Sequence, residues 1–132
     1  MELDATAFSG QWERAWNSHD VEAVLAHFGD DVVFTSPVAA AMYPETAGII
    51  HGKADLRHYW TDALQRIPDL HFVVEAVYRG IDTVVINYRN QQGGLVNEVL
   101  RFDDDGLVIE GHGTYLITGD WAAAPIQTDA IG

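Results

Sequence analysis

The sequence predicts an α+β domain in which helices from the N-terminal half cover one face of an antiparallel sheet built by the C-terminal half. Three observations predict it. Apolar residues recur at helical spacing in three segments before Pro68. After Pro68 the pattern changes to alternation, interrupted by clusters of turn-type residues. The chain has 132 residues, 48 % of them hydrophobic, which suits one core and leaves little room for a second domain.

The first helix is read from Phe8, Trp12, Ala15 and Trp16, which share one helical face. Asn17-Ser18-His19-Asp20 interrupts it with cap-type residues, and Ser18 or Asp20 can cap a second short helix. Val21, Val24, Leu25 and Phe28 form the face of that helix, ended by Gly29-Asp30-Asp31. Asp31–Ser36 is β-branched and aromatic, hence a strand, and Pro37 stops it. Residues 38–51 read as an irregular stretch, of a length common in lids and edges. Gly52 opens a third helix with the stripe Leu56, Trp60, Ala63, Leu64 and Ile67, ending at Pro68.

Four strands complete the chain's regular elements. Leu70–Tyr78 puts Leu70, Phe72, Val74, Ala76 and Tyr78 on one face and His71, Val73, Glu75 and Val77 on the other. Turns at Gly80-Ile81-Asp82, Gln91–Gly94 and Asp103–Gly106 separate Thr83–Asn90, Leu95–Phe102 and Leu107–Ile117. Helices covering one face of a strongly curved sheet leave a cavity between them. Val73, Val77, Val99 and Arg101 fall on the outer face, and its apolar members predict a dimer interface there. The tail 118–132 has no clear period and reads as a loose terminus or a strap across a neighbour.

With 7 Lys and Arg against 20 Asp and Glu, the net charge is −13. That argues against a nucleic-acid or anionic-membrane partner, because both need clustered cations. The absence of cysteine excludes disulfides, thiolate zinc sites and cysteine nucleophiles. The N-terminal residues lack the pattern of a signal peptide, and no apolar run approaches the roughly 20 residues of a membrane span. A soluble, cytoplasmic protein is expected.

The segments WERAWNSHD (12–20), FGDDVVFTSP (28–37), HGKADLRHYW (51–60), PDLHF (68–72) and RFDDDGLV (101–108) resemble the nuclear transport factor 2-like superfamily, and within it the SnoaL-like proteins. The resemblance spans about residues 6–117, within a single domain over 1–132. It implies a cone-shaped α+β barrel, with three helices on the concave face of the sheet, a deep apolar pocket and a homodimer through the sheet. The superfamily hosts isomerases, cyclases, hydrolases and plain binding proteins, so fold does not fix activity. In its ketosteroid isomerases a carboxylate base works with a tyrosine and a protonated aspartic acid. Carried over by register, the base falls at Ser36, the tyrosine at Trp12 and the acid at Glu98. In the polyketide-cyclase branch, resembled around GLVIEGHGTY (106–115), the acid/base aspartate falls near Gly113. Only the carboxyl at Glu98 is kept.

Glu98 lies between Val96 and Leu100 on the inward parity of its strand, where desolvation makes a carboxyl a candidate acid, base or donor. Its structural alternative is a carboxylate paired with Arg89 or Arg101. Ser36, Tyr43, His51 and Tyr115 are the polar residues expected to orient a ligand, with Tyr59 or Tyr88 as further rim hydroxyls. Trp12, Trp16, Phe34, Trp60 and Phe72 read singly as core and together as walls for an apolar ring. On the last strand, register favours Ile109, Gly111, Gly113 and Tyr115 inward; the opposite parity sends in Glu110, His112 and Thr114. Asn87 and Asn97 are either a pocket pair or an outward ladder. The six histidines show no HxH or HExxH spacing, so no metal or other cofactor is expected. His19 is expected to bond the turn backbone. The expected function is a pocket for a small apolar carbonyl or ring compound, with acid/base chemistry at Glu98 making it an isomerase, cyclase or hydrolase; the alternative is a non-catalytic binding or accessory domain.

Overall fold

The structure is a computed structural model and describes residues 3–117; the reading of 118–132 as a tail lies outside the described residues. Helix α1 (Ala5–Asn17) starts at Asp4, whose side chain accepts from the Ala7 N–H. Helix α2 (Val21–Leu25) is capped in the same way by Asp20 on the Ala23 N–H. Strand β1 (Phe28–Thr35) is followed by a short helix α3 (Pro37–Met42), a 3-10 turn at Pro44–Thr46 and strand β2 (Ile49–His51). Helix α4 (Lys53–Arg66) precedes strands β3 (Val73–Arg79), β4 (Thr83–Arg89), β5 (Leu95–Phe102) and β6 (Val108–Tyr115).

The six strands form one sheet in the order β2-β1-β6-β5-β4-β3. The meander β3 to β6 is antiparallel, as its turns predict, but β1 lies parallel to β6. Helices α1 and α4 pack on this sheet at β3 and β1, with α2 between them. The α+β plan with helices on one sheet face is therefore the one observed. It has one more helix and one more strand than the sequence announced, both within the stretch expected to be irregular. Ser36 explains the helix: its Oγ accepts from the Val38 N–H and Pro37 sits in the first turn. Pairing with β1 explains the strand. Phe28, expected on the second helix, instead begins β1 and is buried.

Trp60 is the hub of the core. Trp16, Phe28 and Phe34 each meet its ring edge-on, with centroids 5.0–5.4 Å away. Trp12 stacks on Phe72 at 5.6 Å, and Phe72 lies 4.4 Å from Tyr88. The α1 end is pinned to the sheet by Asn17, which donates to the Phe72 carbonyl and accepts from its N–H. His19 contacts the Leu70 carbonyl at 2.9 Å, a backbone partner across the fold rather than in its own turn, from a left-handed backbone of φ 57°.

Two bulges correct the alternation. In β3 the pairing with β4 shifts between Val74 and Ala76, so Glu75 is the extra residue. Beyond it the faces exchange: Val77, expected outside, packs against the core, and Tyr78, expected inside, is 61 % exposed. In the β5–β6 pairing Arg101 opposes Glu110 and Phe102 opposes Val108. Ile109 is therefore displaced from the inward series, and Val108 is the buried residue. Gly111 does face inward, but it does not widen a cavity. Phe34 fills the space, and an added Cβ would stand 2.8 Å from its Cδ2 and 3.1 Å from Leu100 Cδ2.

Gly111→Ala is predicted to destabilise the fold by about 1–3 kcal/mol through overpacking of Phe34. Urea unfolding checks this as a lower midpoint at unchanged slope; an unaltered midpoint would show that the ring has room to move.

Candidate functional site

Residues from β1, α4, β4, β5 and β6 converge behind the helices. On β5 the parity runs as expected: Val96, Glu98 and Leu100 are buried. The register sets Glu98 opposite Ile86 on one side and Gly113 on the other. Glu98 is 1 % exposed. Neither guanidinium expected as its alternative partner reaches it. Arg89 pairs with Glu75 at 2.8 Å and Arg101 with Glu110 at 3.0 Å, both on the outer face.

Glu98 instead accepts a hydrogen bond from the Tyr88 hydroxyl, and its Oε1 has no partner among the described residues. Burial pushes the carboxyl up to about 8, and the Tyr88 hydrogen bond offsets only part of this. The group is thus mostly protonated at neutral pH, a proton donor where most glutamates are acceptors. Tyr59 and Tyr88, expected as rim hydroxyls, are both fully enclosed. Burial raises the phenols of Tyr59, Tyr88 and Tyr115, and Glu98, when ionised, raises each further. Ser36 is buried and close enough to hydrogen-bond the Tyr59 and Tyr115 phenols while capping α3. The result is one interior cluster of a serine, three tyrosines and a carboxylic acid.

Trp12, Trp16, Phe34, Trp60 and Phe72 pack against one another and meet this cluster at Tyr88, through Trp12 and Phe72; they fill the core and line neither cleft described below. The indole N–H groups of Trp12, Trp16 and Trp60 are buried with no hydrogen-bond partner among the described residues, an uncommon concentration of unused donors.

Two clefts approach the cluster. One, of about 270 Å³, is lined by Tyr43, Glu45, Thr46, Ile50, His58 and Tyr59 among others, so Tyr59 joins it to the interior. Tyr43 is held at its edge by a 2.5 Å hydrogen bond to Asp62, which also pairs with Arg66 at 3.4 Å. Burial and then the Asp62 carboxylate push the Tyr43 phenol up to about 12. The second cleft, of about 370 Å³, is lined by Thr35, Ser36 and Gly113 with residues of the α3 segment. His51 is exposed on β2 and lines neither cleft. Asn87 and Asn97 form the outward ladder, 2.8 Å apart on the far face.

Sequence reasoning placed Glu98 but missed Tyr88 as its partner. The signal was present, since Val84, Ile86 and Tyr88 share the inward parity of β4. It also missed a hydrogen-bonded row on the outer face, Thr35–His112–Glu110. Among the described residues no group of three or more His, Asp or Glu side chains could hold a metal, and no helix is long and apolar enough to cross a membrane.

The mixed sheet with helices on one face is a fold shared with nuclear transport factor 2-like proteins. The chain belongs to the SnoaL-like domain family, whose model matches residues 10–124. It is similar to a SnoaL-like protein of unknown function from Burkholderia thailandensis, with 39 % identity and a TM-score of 0.81 over 85 % of this chain and 93 % of that one. A nuclear transport factor 2-like protein of unknown function from Cytophaga hutchinsonii shares the fold at 12 % identity and a TM-score of 0.66, covering 89 % and 94 % of the two chains. TerC, co-crystallised with polyporic acid, shares it at 13 % identity and a TM-score of 0.69, covering 84 % and 90 %. No curated protein matches this chain.

The raised Glu98 predicts a pH signature. The folded state holds this proton between about 4.5, the ordinary carboxyl value, and about 8. Stability from this group is therefore full below 4.5 and is lost as pH rises through 8. Glu98→Gln should remove this slope and stabilise the protein at pH 9 relative to wild type by an amount on the order of a few kcal/mol. Denaturation midpoints from pH 5 to 9 check it; parallel curves for the two proteins would show an ordinary carboxylate.

Proposed function

We propose that the protein binds a small apolar carbonyl or ring compound and that Glu98 exchanges a proton with it. The observation that carries this reading is the enclosed carboxyl of Glu98, with one oxygen held by Tyr88 and the other without a partner among the described residues. A neutral carboxyl can hydrogen-bond a carbonyl oxygen and stabilise charge that develops on it, which is how a protonated acid serves an oxyanion. The idle indole donors of Trp12, Trp16 and Trp60 favour a ligand that brings oxygen acceptors into an aromatic surround. Access runs past Gly113, which faces Glu98 in the register and borders the 370 Å³ cleft without a side chain to block it. Ser36 and Tyr115 border the same approach, and Tyr43 and Tyr59 the other. TerC, which shares the fold, was co-crystallised with polyporic acid.

A second reading, binding without turnover, is favoured by one observation. Ser36, at the register of the isomerase base, is engaged as the α3 cap and supplies no carboxylate. A panel of carbonyl and ring compounds, screened by thermal shift and then for turnover, separates the two. The catalytic reading expects ligands that stabilise the wild type and are converted, with conversion falling about 100-fold or more in Glu98→Gln. Gly113→Val should weaken binding of the same ligands. Binding with no conversion leaves the second reading; unchanged binding and conversion in Glu98→Gln would remove any role for Glu98.

The partner reading extends this proposal: a second copy covers the outer face of β3 to β5. Support comes from Val73 and Tyr78, both exposed there, beside the half-buried Val85 and Val99. Light scattering should give twice the chain mass for wild type and the single chain mass for Tyr78→Glu; a wild-type monomer would contradict it.

A further inference from the structure

A second group of chemically matched side chains lies outside the interior site, on the opposite face of the sheet. Arg101 on β5, Glu110 and His112 on β6 and Thr35 on β1 form a row across three neighbouring strands. The pairing sets it up: Arg101 opposes Glu110, and Thr35 opposes His112. Glu110 and His112 are two residues apart and so share a face. The Arg101 guanidinium meets Glu110 Oε1 at 3.0 Å, Glu110 Oε2 meets His112 Nε2 at 2.7 Å, and His112 Nδ1 meets Thr35 Oγ1 at 2.6 Å.

For a neutral imidazole the ionised Glu110 fixes the proton positions along the row. The His112 and Arg101 hydrogen bonds, followed by the charge of both groups, hold the Glu110 carboxyl below its usual range, so it is ionised and accepts only. Imidazole Nε2 must therefore carry the hydrogen it donates to Glu110. In the neutral ring this leaves Nδ1 with a lone pair, and the Thr35 hydroxyl donates to it. A carboxylate that fixes the tautomer, an imidazole that accepts and a hydroxyl that gives up its proton are the three roles of an activated hydroxyl nucleophile, recognised by geometry rather than by chain order. Thr35 also has somewhere for a reagent to sit. It borders the 370 Å³ cleft, whose walls at Ala40, Ala47 and Gly48 carry little or no side chain.

We propose that Thr35 is an acyl-accepting nucleophile, activated by His112 and Glu110, that takes an acyl group from an activated ester entering this cleft. In the step, Thr35 Oγ1 forms a bond to the ester carbonyl carbon, and the bond from that carbon to the departing aryl oxygen breaks. The hydroxyl proton passes to His112 Nδ1 and from there to the departing oxygen, giving an acyl-threonine and a phenol. Glu110 holds the imidazolium while it lasts. The proposal goes beyond the ligand-binding reading above: it shares the 370 Å³ cleft with the approach past Gly113 but uses Thr35, His112 and Glu110 rather than Glu98.

The test uses 4-nitrophenyl acetate on the intact protein, with nitrophenolate release followed by absorbance and the acetyl group located by peptide mass spectrometry. One acetyl group on Thr35 is expected. Thr35→Ser should keep the label, Thr35→Val should lose it, and His112→Gln should slow it about 100-fold. Thr114→Val, which removes another hydroxyl on β6, should leave Thr35 labelling at the wild-type rate. Acetyl found only elsewhere, at Lys53, a tyrosine or His112 itself, would overturn the proposal. So would Thr35 labelling at an undiminished rate in His112→Gln.

Discussion

The interior is organised around one constraint: a carboxyl group buried on a central strand with no cation beside it among the described residues. Glu98 belongs to a central strand, flanked by β4 and β6, so its direction is fixed by the same register that buries Val96 and Leu100. A slip of one residue would turn all three outward together. The core therefore cannot form without enclosing the acid. Among the described residues the local relief is the Tyr88 hydroxyl, which itself must be buried to reach it. A buried charge without a counter-ion is costly, so the group keeps its proton instead. In this way a packing decision in the sheet becomes a chemical property of the interior.

The glycines of β6 show how the same strand divides structure from access. Gly111 is needed because Phe34 occupies the place of a side chain and completes the ring set around Trp60. Gly113, two residues on and on the same face, stands opposite Glu98 and borders a cleft instead. One glycine admits a neighbouring ring; the other keeps the wall thin. On the opposite face of the same strand, Glu110 and His112 carry a separate polar row that ends at Thr35, beside the cleft Gly113 also borders.

Much of this was legible from residues alone. Helical spacing found Trp12, Trp16 and Trp60, and strand alternation found Glu98, because both signals depend on burial repeating over several turns or pairs. The α3 segment was not legible, since a six-residue helix and a three-residue strand are held by a serine cap and a β1 partner rather than by periodicity. Tyr78 and Val77 were exchanged because a single extra residue at Glu75 leaves no mark in composition. The Thr35–His112 contact spans 77 positions and depends on β1 lying parallel beside β6, which no local pattern announces. Charge was legible in sign but not in meaning: of the 20 acidic residues, the interior chemistry concerns Glu98, which sits with the aromatics rather than in the solvated turns.

The most direct measurement is a carbon-13 NMR titration of the glutamate side-chain carboxyls, with Glu98 assigned by its loss in Glu98→Gln. The enclosed carboxyl should titrate with a midpoint near 8. A Glu98 midpoint near the ordinary 4.5 would mean that the group is solvated or paired, and would contradict the protonated acid on which the functional reading rests.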